Sequence, residues 1–233
     1  MSTLEEVASA APQDVATSSP RIVLFDFDGV LMHGDAFHLF VRECFARSLW
    51  RKGLALLSTP LLLPSLPFSR RWPAYVLVRI ALLGLGEQRY RAAANVFGAN
   101  LARRPRQFCR DGLRQLRQHQ AQGDRVIVVT GCEHTLVSSI LHELGLSGLE
   151  ILASQLCAGW VGMRLRRHNV GRRKLQSLTE HGVGAWQVAY GDSVHDVPML
   201  RPADQPVLVN GTPALCKKVE KALGRAVGRV EWF

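Results

Sequence analysis

The 233-residue sequence predicts a doubly wound α/β fold, with a mostly parallel sheet and an inserted α-helical domain. Short runs rich in β-branched and aromatic residues alternate with helix-like segments, the pattern of parallel strands joined by helical crossovers. The first two strand runs end 102 residues apart, at Asp28 and Thr130, whereas a strand–helix–strand unit takes roughly thirty. The surplus coincides with a concentration of charge. Residues 36–110 hold thirteen Lys and Arg against Glu43 and Glu87, a net of +11, while the rest of the chain nets −1.

Each element has its own justification. Residues 1–20 are rich in Ala, Ser, Thr and Pro, with three acids and no base; they read as a disordered leader without the basic start and apolar run of a secretory signal. RIVLFDF (21–27) reads as a strand buried on both faces. Residues 34–105 are assigned to the helical insert, and 21–33 with 106–233 to the catalytic core. Helices are expected over 106–121, 134–144, 171–181 and 212–223, the last opened by Thr212 as N-cap and Pro213 in its first turn. Strands are expected at 125–130, 149–153, 187–190 and 206–209, with a hairpin-like stretch around Trp160 and Gly162.

The insert carries two apolar runs. GLALLSTPLLLPSLPF (53–68) has no charge and lies between Arg51-Lys52 and Arg70-Arg71-Trp72; AYVLVRIALLGLG (74–86) carries only Arg79. A spanning helix needs about 20 apolar residues, and Pro60, Pro64 and Pro67 are expected to break a regular helix. Contact with an anionic membrane surface is the favoured reading, by a hairpin that dips in or by helices lying flat. Ordinary packing of the helices in the insert is the alternative. Nucleic acid is disfavoured as a partner, because the basic residues alternate with Leu/Pro stretches and form no groove with stacking aromatics. Five scattered cysteines without a CxxC pair exclude a zinc ribbon or a disulfide scaffold and fit a reducing compartment.

The chemistry lies at strand ends. Asp26-Phe27-Asp28-Gly29 closes the first strand, and Asp192-Ser193-Val194-His195-Asp196 follows another. Ligands of doubly wound sheets bind outside the carboxyl ends of the strands, and adjacent carboxylates need a cation or a proton between them. A hard dication such as Mg²⁺ suits all-oxygen ligands. Thr130-Gly131 ends the second strand with a hydroxyl and an open N–H, and Lys174 opens a helix three residues after Gly171. Together they make a metal-assisted phosphoryl-transfer set.

The ordered motifs Asp26/Asp28, Thr130, Lys174 and Asp192/Asp196 closely resemble those of the haloacid dehalogenase superfamily, over about 25–210. The resemblance implies a Rossmann-like core and a phosphatase, because an acid at position 28 supplies the proton that dehalogenases do not need. It implies Asp26 as nucleophile forming an aspartyl-phosphate, Asp28 as general acid and base, and Mg²⁺ held by Asp26, the Asp28 carbonyl and Asp192. Thr130, Gly131 and Lys174 would bind the phosphate, with Ser193 and Asp196 in support, Asp196 bracing the metal shell or orienting Lys174. Val30 departs from the Thr that many members carry. The Leu/Pro-rich insert with Arg71-Trp72-Pro73, the run 152–156, the Trp160/Gly162 stretch and Asp192-Ser193-x-x-Asp196-x-Pro198 resemble the phosphatidylglycerophosphatase C family. That likeness implies an anionic phospholipid substrate and a cytoplasmic enzyme associated with the inner membrane. A soluble phosphatase of the phosphoserine phosphatase type is the second reading, and a binding module with an inactive core the third.

Overall fold

The computed structural model describes residues 20–65, 67–69 and 71–233. Apart from Pro20, the leader expected over 1–20 lies outside the described residues, as do Leu66 and Arg70 in and beside the longer apolar run.

Seven strands form one sheet: β1 (Ile22–Phe25), β2 (Arg125–Glu133), β3 (Glu150–Gly159), β4 (Gly162–Arg167), β5 (Val188–Gly191), β6 (Gln205–Val209) and β7 (Gly228–Val230). Their order is β4-β3-β2-β1-β5-β6-β7, and every pair is parallel except the β3–β4 hairpin. The chain winds outward from β1 to β3 and then returns to the other side of β1. The switch point therefore falls between β1 and β5, where such sheets open a crevice.

The apolar runs form central strands because both faces are covered. Val23 and Phe25 of β1 join Val126 and Val128 of β2 on one side, against helices α5 (Arg110–Ala121) and α6 (His134–Glu143). Leu24, Ile127 and Val129 point the other way, toward α7 (Arg172–Glu180), α8 (Val197–Leu200) and α9 (Pro213–Leu223). Complete burial of a side chain such as Phe25 contributes about 1.5–3 kcal/mol.

Between β1 and β2 lie four further helices, α1 (Ala36–Ala46), α2 (Leu49–Leu62), α3 (Arg71–Ala81) and α4 (Glu87–Ala102). Phe40 of α1 meets Tyr90 and Phe97 of α4 edge to face. Helix α4 lies close along α6 because Gly98 has no side chain; a Cβ there would stand 2.5 Å from the Ser139 hydroxyl.

Three expectations need correction, and one strand is additional. The helix expected from 106 starts at Arg110, because Arg106 takes a left-handed φ of 57° and the following residues pair with 31–33 instead. His33 N–H donates to Gln107 O, and Cys109 N–H to Leu31 O. Pro60 does not break α2, which ends at Leu62 and gives way to a 3-10 turn, Leu63–Ser65, that contains Pro64. The strand expected at 149–153 runs on to Gly159, because pairing with β4 satisfies its outer edge. Strand β7, a three-residue edge strand beside β6, was not anticipated.

Candidate active site

Asp26 stands directly after β1, and its N–H donates to Tyr190 O of β5 at 3.0 Å. This bond fixes the strand end beside the β5 end, so motifs 166 residues apart in sequence share one rim. The Asp26 side chain is buried, and its Oδ2 lies 2.9 Å from Lys174 Nζ. The same ammonium, on the first turn of α7, donates to Asp196 Oδ1 at 2.7 Å. Lys174 thus bridges two carboxylates in a buried site, where an unpaired charge would be costly.

Asp196 orients this lysine. Its second oxygen accepts from the N–H groups of Asp192 and Ser193 and from the Ser193 hydroxyl at 2.9 Å. Both oxygens are thereby engaged. The Ser193 hydroxyl, expected in a supporting place, donates to Asp196, and it also caps the 3-10 turn Val194–Asp196.

Asp192 lies over the turn that follows Asp28. A Cβ built on Gly29 would fall 2.0 Å from Asp192 Oδ2, and Gly29 has φ +78°. The glycine therefore provides both the left-handed turn and the space for the carboxylate. We expect Gly29→Ala to displace Asp192 and lower activity by about a hundredfold or more, as misplacement of a reacting group by about 1 Å can do. Steady-state kinetics beside a thermal melt check this. A variant that folds with wild-type turnover would contradict the placement.

Asp28 points to the start of α1, where its Oδ1 accepts from Ala36 N–H at 2.8 Å. Burial, with the Asp35 carboxylate adding to it, pushes the Asp28 carboxyl up to about 7 against the opposing Ala36 N–H bond. Burial also raises Asp26, with Lys174 opposing and Asp196 and Asp28 adding. Asp192 is pushed up to about 6 by burial first and then by Asp196. For Asp196 burial works in the same upward direction, but Lys174 outweighs it and holds the group below the usual carboxylate range.

Among the described residues, Asp26, Asp192 and Asp196 can bring ligand oxygens within 4.8 Å of one another. Four carboxylates face one ammonium here; Asp26 Oδ2 lies on Lys174, and its Oδ1 accepts from Phe27 N–H at 2.7 Å. That excess of negative charge, in an all-oxygen cluster, fits a hard divalent cation.

Thr130 and Gly131 end the straight part of β2. The Thr130 hydroxyl oxygen accepts from Cys132 N–H at 3.0 Å, which leaves its proton to donate elsewhere. A Cβ on Gly131 would meet Val170 at 2.8 Å. Sequence reasoning missed Asn169, which is fully buried. Its amide donates to Leu152 O and Thr130 O and accepts from Ser177, so it ties the segment before Lys174 to the end of β2. A lone Asn next to Gly171 carries no spacing that could have marked it. Tyr90 and Glu133 were missed too. The Tyr90 hydroxyl donates to Glu133 at 2.5 Å, and Glu133 caps α6, so the insert is latched to the Thr130 segment.

A buried lysine between two carboxylates, a third carboxylate over the neighbouring strand turn and a fourth at a helix start define a hydrolase centre in a doubly wound α/β fold. The chain belongs to the haloacid dehalogenase-like hydrolase family, whose model matches residues 23–201. Among solved structures it is similar to a protein of unknown function from Bordetella pertussis Tohama I, with TM-score 0.69 and 19% identity, covering 91% of this chain and 99% of that one. It is also similar to a phosphoserine phosphohydrolase-like protein from Francisella tularensis, with TM-score 0.59 and 15% identity over 90% and 94% of the two chains. A substrate-bound phosphoserine phosphatase gives TM-score 0.56 and 15% identity over 91% and 93%. At these identities the likeness describes the fold.

Proposed function

We propose that the protein is a Mg²⁺-dependent phosphomonoesterase that works through an aspartyl-phosphate on Asp26, and that its substrate is a lipid phosphate such as phosphatidylglycerophosphate. The observation that carries the reading is the buried Lys174 bridge between Asp26 and Asp196 at the β1/β5 switch point, with Asp192 opposite. Helices α1–α4 serve as a cap over the nucleophile in this account.

When bound by Asp26, the Asp28 carbonyl and Asp192, Mg²⁺ supplies charge neutralisation at the phosphoryl oxygens. Asp26 attacks phosphorus, the bond to the leaving oxygen breaks, and Asp28 gives that oxygen its proton. Asp28, now a carboxylate, takes a proton from water; the water oxygen bonds to phosphorus and the bond to Asp26 breaks. Lys174 holds Asp26 in position and offsets phosphoryl charge, while Thr130 and the Gly131 N–H bind the oxygens that do not react.

The order of proton transfer sets a pH dependence. With its carboxyl raised to about 7, Asp28 is protonated below that pH and loses its proton as pH rises through it. Formation of the phosphoenzyme is therefore expected to decline above about pH 7, and Asp28→Asn to remove that decline while lowering turnover about 10²–10⁴-fold. A pH–rate profile of kcat/KM for both proteins checks this, and an unchanged alkaline decline in Asp28→Asn contradicts it.

The lipid reading draws on the insert, whose charge suits an anionic substrate. The second reading, a small phosphorylated metabolite, draws on the phosphoserine phosphatases among the similar structures. Phosphate release from phosphatidylglycerophosphate, phosphatidic acid and phosphoserine, each with and without Mg²⁺, separates them. The proposal expects Mg²⁺-dependent release, fastest from phosphatidylglycerophosphate in mixed micelles. Release from phosphoserine alone would install the second reading.

A further inference from the structure

Among the described residues, no helix is long and apolar enough to cross a membrane. Yet α2 is arranged inside out. Its inward side carries Arg51, Ala55, Ser58 and Thr59, with Leu62 buried at its end. Its outward side carries Trp50, Leu54, Leu57 and Leu61 at helical spacing, and Leu56 is 74% and Leu57 79% exposed. The chain beyond continues in kind, with Phe68 exposed by 91%. Contiguous apolar exposure on this scale marks an interaction surface.

The β3–β4 hairpin reaches the same region. At its tip Trp160 is completely exposed and Val161 more than half so. Val161 O accepts from Gly84 N–H at 2.9 Å, while Arg51 of α2 donates to the adjacent Leu83 O at 2.8 Å. Arg79 of α3 donates to Met163 O of β4 at 2.7 Å. Residues 83–84 are therefore clasped by α2 on one side and the hairpin tip on the other, and Arg51 also lies 5.1 Å from the ring of Trp50.

Charge distinguishes the partner. No acid occurs between Glu43 and Glu87, or between Glu150 and Glu180; the first stretch carries six Lys and Arg, and the second five Arg besides the buried Lys174. The two acid-free stretches are those that meet where Gly84 N–H donates to Val161 O. Exposed aromatic and leucine side chains on stretches of chain that carry cations and no acid suit an anionic lipid headgroup layer. A second copy of this face would bring like charges together, and the flat run of exposed leucines suits a headgroup layer.

We infer that the outer face of α2 and the Trp160–Val161 hairpin tip form one composite surface that docks flat on an anionic bilayer; its use in catalysis rests on the lipid-phosphate reading. The hairpin is the second foot, and with α2 it fixes the orientation of the core over the surface, where α2 alone would allow it to roll.

The test is flotation of the full chain with phosphatidylcholine vesicles, with and without phosphatidylglycerol, for the parent, Leu57→Asp and Trp160→Asp. Hydrolysis of p-nitrophenyl phosphate reports on the folded core. The parent should bind phosphatidylglycerol vesicles, lose binding in high salt and ignore neutral ones. Each variant should bind roughly tenfold or more weakly with hydrolysis unchanged. Overturning results are equal binding to neutral vesicles, no binding by the parent, full binding by Trp160→Asp, or variants that alter self-association and leave vesicle binding alone. If phosphatidylglycerophosphate is not a substrate but binding follows this pattern, the lipid-substrate reading falls and the docking surface stands.

Discussion

Asp26→Asn is expected to reduce Mg²⁺-dependent phosphomonoester hydrolysis by a factor on the order of 10³ or more, with the fold intact. The change keeps shape and burial but removes the anionic oxygen that attacks phosphorus, and an amide is a far weaker nucleophile. Lys174 Nζ keeps its bond to Asp196, 2.7 Å away, so one partner of the buried cation survives. Stability should therefore move little, and activity greatly. Turnover and thermal unfolding on the same preparation check the split; an Asn variant with more than about a tenth of parental turnover would contradict the nucleophile assignment.

The second large effect is on stability. Lys174→Met takes from the buried Asp26 and Asp196 the one cation that pairs with them among the described residues, and breaking a buried pair by removing one partner costs about 3–5 kcal/mol. For a chain of this size that lowers the melting temperature by roughly 10 °C. The pH dependence follows from the direction of each shift. In the parent, Asp196 lies below its ordinary value, so its contribution is present at neutral pH and lost as pH falls. In the variant the lysine no longer opposes burial, which raises both carboxyls against only the hydrogen bonds that Ser193 and the backbone donate. The variant is then most stable below the ordinary carboxylate range and weakens as pH rises through the raised values. Its deficit against the parent, measured by thermal unfolding in Mg²⁺-free buffer, should be smaller at pH 5 than at pH 8. Adding Asp196→Asn to Lys174→Met should recover part of the loss, since it removes one of the stranded charges. A deficit that does not change with pH would mean that packing, and not charge, carries the effect.

Much of the core was legible because its signals are local. RIVLFDF and RVIVVT (125–130) are apolar runs that end at acids or at Thr-Gly, and burial on both faces followed from that composition. Asp26, Asp28, Asp192 and Asp196 could be placed on one rim because each follows a strand run. Lys174 was legible from its place in the first turn of a helix. What stayed hidden depends on partners distant in sequence. Asn169 matters because Thr130 and Leu152 present their carbonyls to it. Tyr90 matters because Glu133 lies across the insert boundary. The late start of α5 results from pairing between 107–109 and 31–33, which no helix propensity encodes. Pro60 was read as a helix breaker from its own chemistry. On the exposed last turns of α2 the missing N–H did not end the helix.

The acyl-phosphate can be sought directly. The chain is mixed with p-nitrophenyl phosphate labelled in its phosphoryl group, whose leaving group needs no acid, in Mg²⁺, quenched in acid within one turnover, and digested for peptide mapping, with Asp28→Asn run in parallel to slow the hydrolytic half. Label on the peptide containing Asp26, more abundant in Asp28→Asn and absent from Asp26→Asn, is the predicted result. Turnover with no label retained in either protein, or label on a peptide lacking Asp26, would contradict the account.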